Sequence, residues 1–561
     1  MGCGECFAWL WPSRRKFDLV ASAHGVVRQR LQAGSPRADP PNSKNAFGGC
    51  STPGGGSPAR SGGLDIASLL FCPDPSRALG KHYRIEQHLG SGGFGAVYRA
   101  THLLTKEDRA IKQVEKSDVQ DDMKCVYTEL EALARLDHPN IVKFHEFFED
   151  ANMLYLVTEM CSAGDFSDLN HGIDDPLEIR LLFRDLLLAV GYCHGLGIAH
   201  RDLKFENCLL DKRPHQRYVC KVIDFGLSAI RRLEDEDDKW LNDQLGTKFF
   251  IAPEVIDHCV MYGVSCDMWS IGVMLYIVLT DEHPFSADAL SLSIESLFSR
   301  VRTRPWRLKP LDDARADKVV RDLIGKLLEK DPALRMCAQD ALHHDWIAGA
   351  IVASADWRRT AHSWRAKPLR RMGSIRGTSA IDSEMAARLH NFGRCSKFER
   401  AVLTLAAHHT STHEVEDLRS AFMELDTTKN GTLSMDEIRE AFRKCGHKIS
   451  EEDLDHLFVV LDANETGKIH YTEWLAATLK PTMLASDLAI DQLFNFFDIE
   501  GNGRVSKEEL LQVFEDPDHV DDLLMRADTS GDGMLDKQVF NVFIGSSRCS
   551  SRASRRALRG E

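Results

Sequence analysis

The chain is short of several features that would place it at once. None of its stretches approaches the ~18 consecutive apolar residues of a membrane-spanning helix. No apolar core of a secretory signal follows the first residue, so no leader is expected. Positive charge is not in excess: the formal net charge is −14, which argues against nucleic acid as a partner. The 15 cysteines are scattered, and the one C-x-x-C, Cys3 to Cys6, has no second pair to complete a zinc site. A disulfide-built secreted scaffold is short and cysteine-dense. This chain has 561 residues, so its thiols are expected to be reduced and its location cytoplasmic.

What is present is enough for several cores. Hydrophobic residues make up 43% of the sequence, and at roughly 100–200 residues per domain two to four domains are expected. Residues 1–80 are rich in Gly, Ser, Pro, Ala and Arg and bury too little to offset ordering entropy, so disorder is expected there. From Tyr83 to Trp346 the pattern runs from short strands with Gly turns to long helical periodicity, an α+β two-lobed arrangement. Residues 348–413 begin basic and become helical. An internal repeat follows, with Asp-led loops at Asp426, Asp462, Asp498 and Asp528, spaced 36, 36 and 30 residues apart. The tail after residue 545 reads as disordered.

The first domain carries the parts that phosphoryl transfer needs, in order. Leu89, Gly90, Ser91, Gly92, Gly93, Phe94, Gly95, Ala96 and Val97 form a G-x-G-x-x-G-x-V loop, whose glycines let main-chain amides approach a triphosphate. A dinucleotide-binding loop would open a helix, whereas this one runs into V-Y-R-A, a strand pattern. Seventeen residues past Gly95 stands Lys112, in R-A-I-K, with Glu129 on a following helix as its expected partner. H-R-D-L-K-F-E-N then places Asp202 for the acceptor hydroxyl, Lys204 for the γ-phosphate and Asn207 for Mg²⁺. Asp224, opening D-F-G, is the second Mg²⁺ ligand, and Ala252–Glu254 closes the segment.

These motifs resemble the eukaryotic protein kinase family over residues 83–347. The resemblance implies an ion pair between Arg335 and Glu254, and Asp267 as a support of the catalytic loop. It also implies Thr158 beside the adenine pocket, with Glu159 and Cys161 lining it. Lys204 points to the Ser/Thr class. Between D-F-G and A-P-E, Glu234 to Asp238 offer a carboxylate cluster that would pair with Arg201, or an ordinary acidic loop. Asp165 and Glu206 match positions that receive basic residues upstream of the acceptor, so protein substrates with upstream basic residues are expected. Leu369, Arg371 and Ser374 fit an apolar-x-Arg-x-x-Ser pattern, an autophosphorylation or pseudosubstrate site set against a plain basic linker.

The repeated loops have the twelve-residue calcium pattern, with oxygen ligands at alternate positions, Gly at 6 and Glu at 12. Loop one offers Asp426, Thr428, Asn430, Thr432 and Glu437; loop two, Asp462, Asn464, Thr466, Lys468 and Glu473. Loop three offers Asp498, Glu500, Asn502, Arg504 and Glu509. Position 7 in each contributes its main-chain carbonyl. Loop four offers Asp528, Ser530, Asp532 and Met534, but Val539 at position 12 cannot coordinate, so weak binding or Mg²⁺ preference is expected, with Asp536 compensating in part. Position 8 is apolar throughout: Leu433, Ile469, Val505 and Leu535.

Kinase, junction and four EF-hands in this order resemble the calcium-dependent protein kinases of plants and apicomplexan-type protists, across nearly the whole chain. The resemblance implies a two-lobed kinase fold followed by an all-α calmodulin-like domain at 414–545, using ATP, Mg²⁺ and Ca²⁺. It implies a junction that inhibits until Ca²⁺ draws it onto the sensor, with Leu389, Phe392, Phe398, Val402 and Leu405 as anchors. A monomer is expected. Gly2 and Cys3 are placed for myristoylation and palmitoylation, with Arg14, Arg15 and Lys16 adding attraction to anionic lipid, so peripheral membrane association is expected. Cys6 departs from the Ser or Thr that acylation favours, and the rival is a redox C-x-x-C. Two rivals to the whole reading are a calcium-binding scaffold with a dead kinase, and a kinase whose loops only stiffen the fold.

Overall fold

The computed structural model describes residues 78–541, except 93–94, 119–122, 169–174, 213–217, 232–245, 258–261, 350–380, 411–414, 448, 465, 481–486, 499, 514–516 and 529–530. Several expectations fall outside those residues: Gly2, Cys3, Gly93, Phe94, Glu234 to Asp238, Leu369, Arg371, Ser374, Ser530 and both terminal segments.

The first lobe is an antiparallel sheet in the order β1-β2-β3-β5-β4. Its strands are β1 (Tyr83–Gly92), β2 (Gly95–His102), β3 (Asp108–Glu115), β4 (Phe144–Glu149) and β5 (Met153–Glu159). In β3, Ile111 and Val114 are fully buried, whereas Lys112, next to Ile111, is only half-buried and points to the opposite face, toward the cleft. Helix α1 (Met123–Arg135) lies between β3 and β4 and buries Val126, Leu130 and Leu133.

The second lobe is mainly helical. Helix α2 (Pro176–Gly195) starts where Asp175 accepts a hydrogen bond from the Leu177 N–H and Pro176 fills the first turn. Helix α3 (Ser265–Thr280) is apolar on nearly every side and is the centre of the lobe, with Trp269, Met274 and Tyr276 fully buried. Short ribbons β6 (Ile198–Ala199), β7 (Cys208–Lys212), β8 (Tyr218–Val222) and β9 (Ala229–Ile230) carry the catalytic segment between the lobes. Helices α4 (Lys318–Leu327) and α5 (Ala338–His343) pack around α3 and α2.

The remaining described residues form a separate helical core. Junction helices α6 (Ser383–Phe392) and α7 (Lys397–His409) open it, and α7 begins in a capping box of Ser396 and Glu399. Then come α8 (Glu416–Leu425), α9 (Met435–Cys445), α10 (Glu451–Leu461) and α11 (Tyr471–Thr478), two helix–loop–helix units joined where Leu433 and Ile469 exchange two hydrogen bonds of 2.9 Å. A second pair follows: α12 (Asp487–Phe497), β10 (Arg504–Ser506), α13 (Lys507–Val513), α14 (Pro517–Ala527) and β11 (Met534–Asp536), with Val505 opposite Leu535. All four apolar position-8 residues thus lie in cross-loop pairs, which is why each is apolar. Among the described residues no helix is long and apolar enough to cross a membrane.

Candidate active site and cation loops

The cleft is built where the sheet meets the catalytic segment. Gly95 has φ +136°, and a Cβ there would lie 2.0 Å from the Gln113 carbonyl oxygen, so only glycine fits. Residues 90–92 pair with 95–97 as a hairpin, which puts Ser91, Ala96 and Val97 on the rim; Leu89 is 42% exposed beside them. Lys112 crosses the cleft floor, its Nζ 2.8 Å from Glu129 Oε2 and 3.2 Å from Asp224 Oδ1. Burial opposes charge on Lys112, but the Glu129 and Asp224 carboxylates outweigh it and raise the ammonium's pKa. Burial likewise works against the Asp224 carboxylate, yet Lys112 and His200 hold its pKa below the ordinary value.

Asp202 sits among donors. Its Oδ1 accepts from the Thr247 N–H at 2.9 Å and the Thr247 hydroxyl at 2.8 Å. Its Oδ2 accepts from Lys204 Nζ at 2.7 Å and Asn207 Nδ2 at 3.2 Å. The loop itself hangs on Asp267, which accepts from the main-chain N–H groups of His200 and Arg201 at 2.9 and 2.8 Å and lies 2.8 Å from His194 Nε2. Burial disfavours that carboxylate, but the His194 contact and the loop donors keep its pKa low. Arg201 and Asp224 both have positive φ, 67° and 61°, unusual for residues with a Cβ. Phe225 is fully buried against His200, with ring centroids 4.9 Å apart. Arg335 meets Glu254 in a bidentate pair beneath the segment, one arm at 2.8 Å.

The structure brings the sequence-derived residues together with two refinements. The Glu159 carboxylate accepts from Lys221 Nζ at 2.6 Å and the Lys143 N–H at 2.8 Å, so that side chain is committed within the protein. Arg201 donates to the Leu227 carbonyl at 2.7 Å, whereas its expected acidic partners lie outside the described residues. Thr158 lies part-buried, its hydroxyl 3.5 Å from the Ala110 carbonyl, and Cys161 is half-exposed. Sequence reading missed Thr247. Its position in G-T-K, shortly before A-P-E, was the available signal.

The loops also converge as expected. In each of the first three, the leading Asp accepts from the main chain of positions 5 and 6, and the closing Glu accepts from the loop's start and from position 9. Asp426 accepts from Asn430 at 3.1 Å and Gly431 at 2.9 Å, and Glu437 from Thr428 at 3.0 Å. Thr428 and Thr432 turn their hydroxyls inward, to Asp426 and Asn430. Asp462 accepts from Thr466 at 2.8 Å and Gly467 at 2.7 Å, and Glu473 from Ala463 at 2.9 Å and His470 at 2.7 Å. Lys468 and Asn464 are both exposed. Burial pushes the Glu473 carboxyl up to about 8, with Asp462 and Asp137 adding to the rise. Asp498 accepts from Asn502 at 3.0 Å and Gly503 at 2.8 Å, Glu509 from Glu500 at 3.0 Å, and Asn502 donates to Glu500. Among the described residues no three His, Cys, Asp or Glu side chains alone form a metal cage. The donors are instead mixed carboxylate, amide, hydroxyl and carbonyl oxygens, which suit a hard dication such as Ca²⁺.

Loop four differs. Asp528 accepts from Gly531 and Gly533, each at 2.7 Å. Asp536 accepts from the Val539 N–H at 2.8 Å, and Asp532 is held by Arg504 of loop three at 3.0 Å. Met534 lies in β11.

The junction anchors are buried in the sensor core. Leu389, Phe392, Phe398, Val402 and Leu405 are each at most 6% exposed, and Phe398 packs 5.8 Å from Phe497 and 6.0 Å from Phe540. The sensor in turn touches the kinase behind the cleft, through Asp137, Lys143, Tyr192 and Gln339.

Comparison with known proteins agrees with this geometry. A family model for the protein kinase domain matches residues 83–347, and models for EF-hand domain pairs match 415–479 and 475–516. Calcium-dependent protein kinase 11 of Arabidopsis thaliana is 30% identical over 389 residues, 68% of this chain and 72% of that protein. The chain belongs to the calcium-dependent protein kinase family. Calcium-dependent protein kinase 4 of Arabidopsis thaliana is 30% identical over 68% of this chain and 70% of its own length. Calcium-dependent protein kinase 3 of Plasmodium berghei (strain Anka) is 27% identical over 65% of this chain and 61% of its own length. This family member is a Ser/Thr protein kinase with a helical EF-hand region, and its kinase domain implies use of ATP and Mg²⁺.

Proposed function

We propose that this kinase phosphorylates Ser and Thr of protein substrates with upstream basic residues, and that Ca²⁺ in its EF-hands switches it on. ATP supplies the phosphoryl group, Mg²⁺ at Asn207 and Asp224 balances its charge, and Ca²⁺ supplies the signal. The chain's own part is positioning. Main-chain amides of residues 90–92 and 95–97, with Lys112, hold the phosphates, Lys204 faces the transferring group, and Asp202 orients the acceptor hydroxyl and takes its proton. Asp165 and the exposed Glu206 stand on two adjoining turns near the catalytic loop, which favours cationic side chains ahead of the acceptor.

The observation that carries the calcium reading is the state of α7. Its anchors lie in the sensor core while Lys112 and Glu129 are paired. A helix held there is not available to block the kinase. Without Ca²⁺ the sensor groove closes and the junction, residues 348–413 with Ser374 as pseudosubstrate or autophosphorylation site, returns to inhibit. The domains on this reading are the kinase at 83–347 and four EF-hands at 414–545. Gly2 and Cys3 acylation would hold an otherwise cytoplasmic monomer at a membrane surface. The experiment is peptide phosphorylation against free Ca²⁺ with the Asp202→Asn variant as control. Activity rising with Ca²⁺ in the parent and absent in the variant is expected; equal activity in chelator and in saturating Ca²⁺ overturns the reading.

A further inference from the structure

The second loop is poor in charge for a calcium site. Among its side-chain ligands only Asp462 and Glu473 are carboxylates, Asn464 and Thr466 are neutral, and Lys468 opposes them. Loop three has three such carboxylates, Asp498, Glu500 and Glu509. Ligand charge and rigidity set calcium affinity, so loop two alone is the weaker site.

The kinase lobe brings it what it lacks. Asp137 stands two residues past α1, and its carboxylate accepts from the Thr472 N–H at 2.7 Å and the Thr472 hydroxyl at 2.8 Å. Thr472 is the second residue of α11, where helix amides have no internal partner and an anion is favoured. It directly precedes the ligand Glu473. The same segment is tied in by its main chain: the Asp137 N–H donates to Tyr192 Oη at 3.2 Å, and Tyr192 Oη lies 3.2 Å from His470 Nδ1, at position 9 of the loop. Loop one meets the same ring, since a Cβ on Gly431 would come within 2.6 Å of Tyr192 Cδ2.

We infer that Asp137 of the kinase lobe is a positioning residue of the second calcium site: it fixes the turn that presents Glu473 and adds a negative charge beside a loop short of it. Binding and docking are then reciprocal. The docked kinase raises the affinity of loop two, and Ca²⁺ in loop two tightens the hold on Asp137, just beyond the helix that carries Glu129. The inference rests on the calcium-gating reading above and names the contact through which gating acts.

The test is direct Ca²⁺ binding to the full chain, by competition with a fluorescent chelator, for the parent, Asp137→Asn, Thr472→Val and the double variant. Asp137→Asn keeps shape and removes charge. It is expected to weaken one macroscopic site by about fivefold and to raise half-activating Ca²⁺ in parallel. Thr472→Val, on the sensor side, moves the same site in the same direction, and the double variant shows less than the sum of the two. Isotherms that superimpose on the parent, or effects that simply add, overturn the inference. A parent kinase indifferent to Ca²⁺ would instead defeat the gating reading, while a shifted isotherm would still uphold the role of Asp137 at the site.

Discussion

Thr247 gives Asp202 two hydrogen bonds, from its N–H at 2.9 Å and its hydroxyl at 2.8 Å, both to the same carboxylate oxygen. Two donors on one oxygen aim the other at Lys204 and Asn207 and fix the carboxylate's rotation. Thr247→Val removes the hydroxyl donor and keeps the shape. A hydrogen bond to a charged group is worth about 1.5–3 kcal/mol, so kcat is expected to fall roughly 10- to 100-fold, with the KM for ATP little changed. Steady-state kinetics with a peptide substrate check the split between the two constants.

The junction's hold on the sensor depends on Phe398. It is 1% exposed and packs at a tilt against Phe497 and edge-to-face against Phe540. Truncating a buried Phe to Ala costs about 3–5 kcal/mol. Phe398→Ala is expected to lower the thermal stability of the EF-hand region and to move half-activation to higher Ca²⁺. Calorimetry and an activity titration on the same preparation check both.

Loop four holds its own fold without a closing carboxylate. Arg504 occupies Asp532, and Asp536 caps Val539. Three calcium ions per chain are expected by native mass spectrometry. Asp498→Ala should remove one of them, and Asp528→Ala should remove none.

Acid is expected to loosen the docked arrangement. His145 of β4 and His408 of α7 are fully buried against each other, with ring centroids 5.6 Å apart. Burial, with Arg109, Lys143 and the neighbouring imidazoles adding to it, holds both well below the ordinary histidine value. The sign follows from proton counting. Separated, these groups take up protons near their ordinary value of about 6.5; docked, they do not. The separated state therefore binds more protons as pH falls, so docking is complete above that value and weakens below it. Small-angle scattering at saturating Ca²⁺ should show expansion between pH 7 and pH 5.5, and His145→Gln should blunt it.

Most of the catalytic site was legible because phosphoryl transfer constrains residue types at short spacings. Gly95, Lys112, Asp202, Asn207 and Asp224 each sit in a motif whose chemistry reads locally. The calcium loops were legible for the same reason, repeated four times. Long-range partners left no such mark. Thr472 and Asp137 are 335 positions apart and each is ordinary in its own neighbourhood. Thr247 lies 45 positions from Asp202, in a segment whose motif did not name it. The commitment of the Glu159 carboxylate to Lys221 left no mark either, since that pair depends on how β8 lies against β5.

The two hydrogen bonds between Leu433 and Ile469 have a consequence for the shape of the response. Each loop can close only as its neighbour's backbone moves with it, so the first ion does part of the second ion's work. A pair coupled in this way answers a rising signal with a threshold instead of a gradient. The enzyme would then ignore small fluctuations and commit over a narrow span of concentration, with a Hill slope above one.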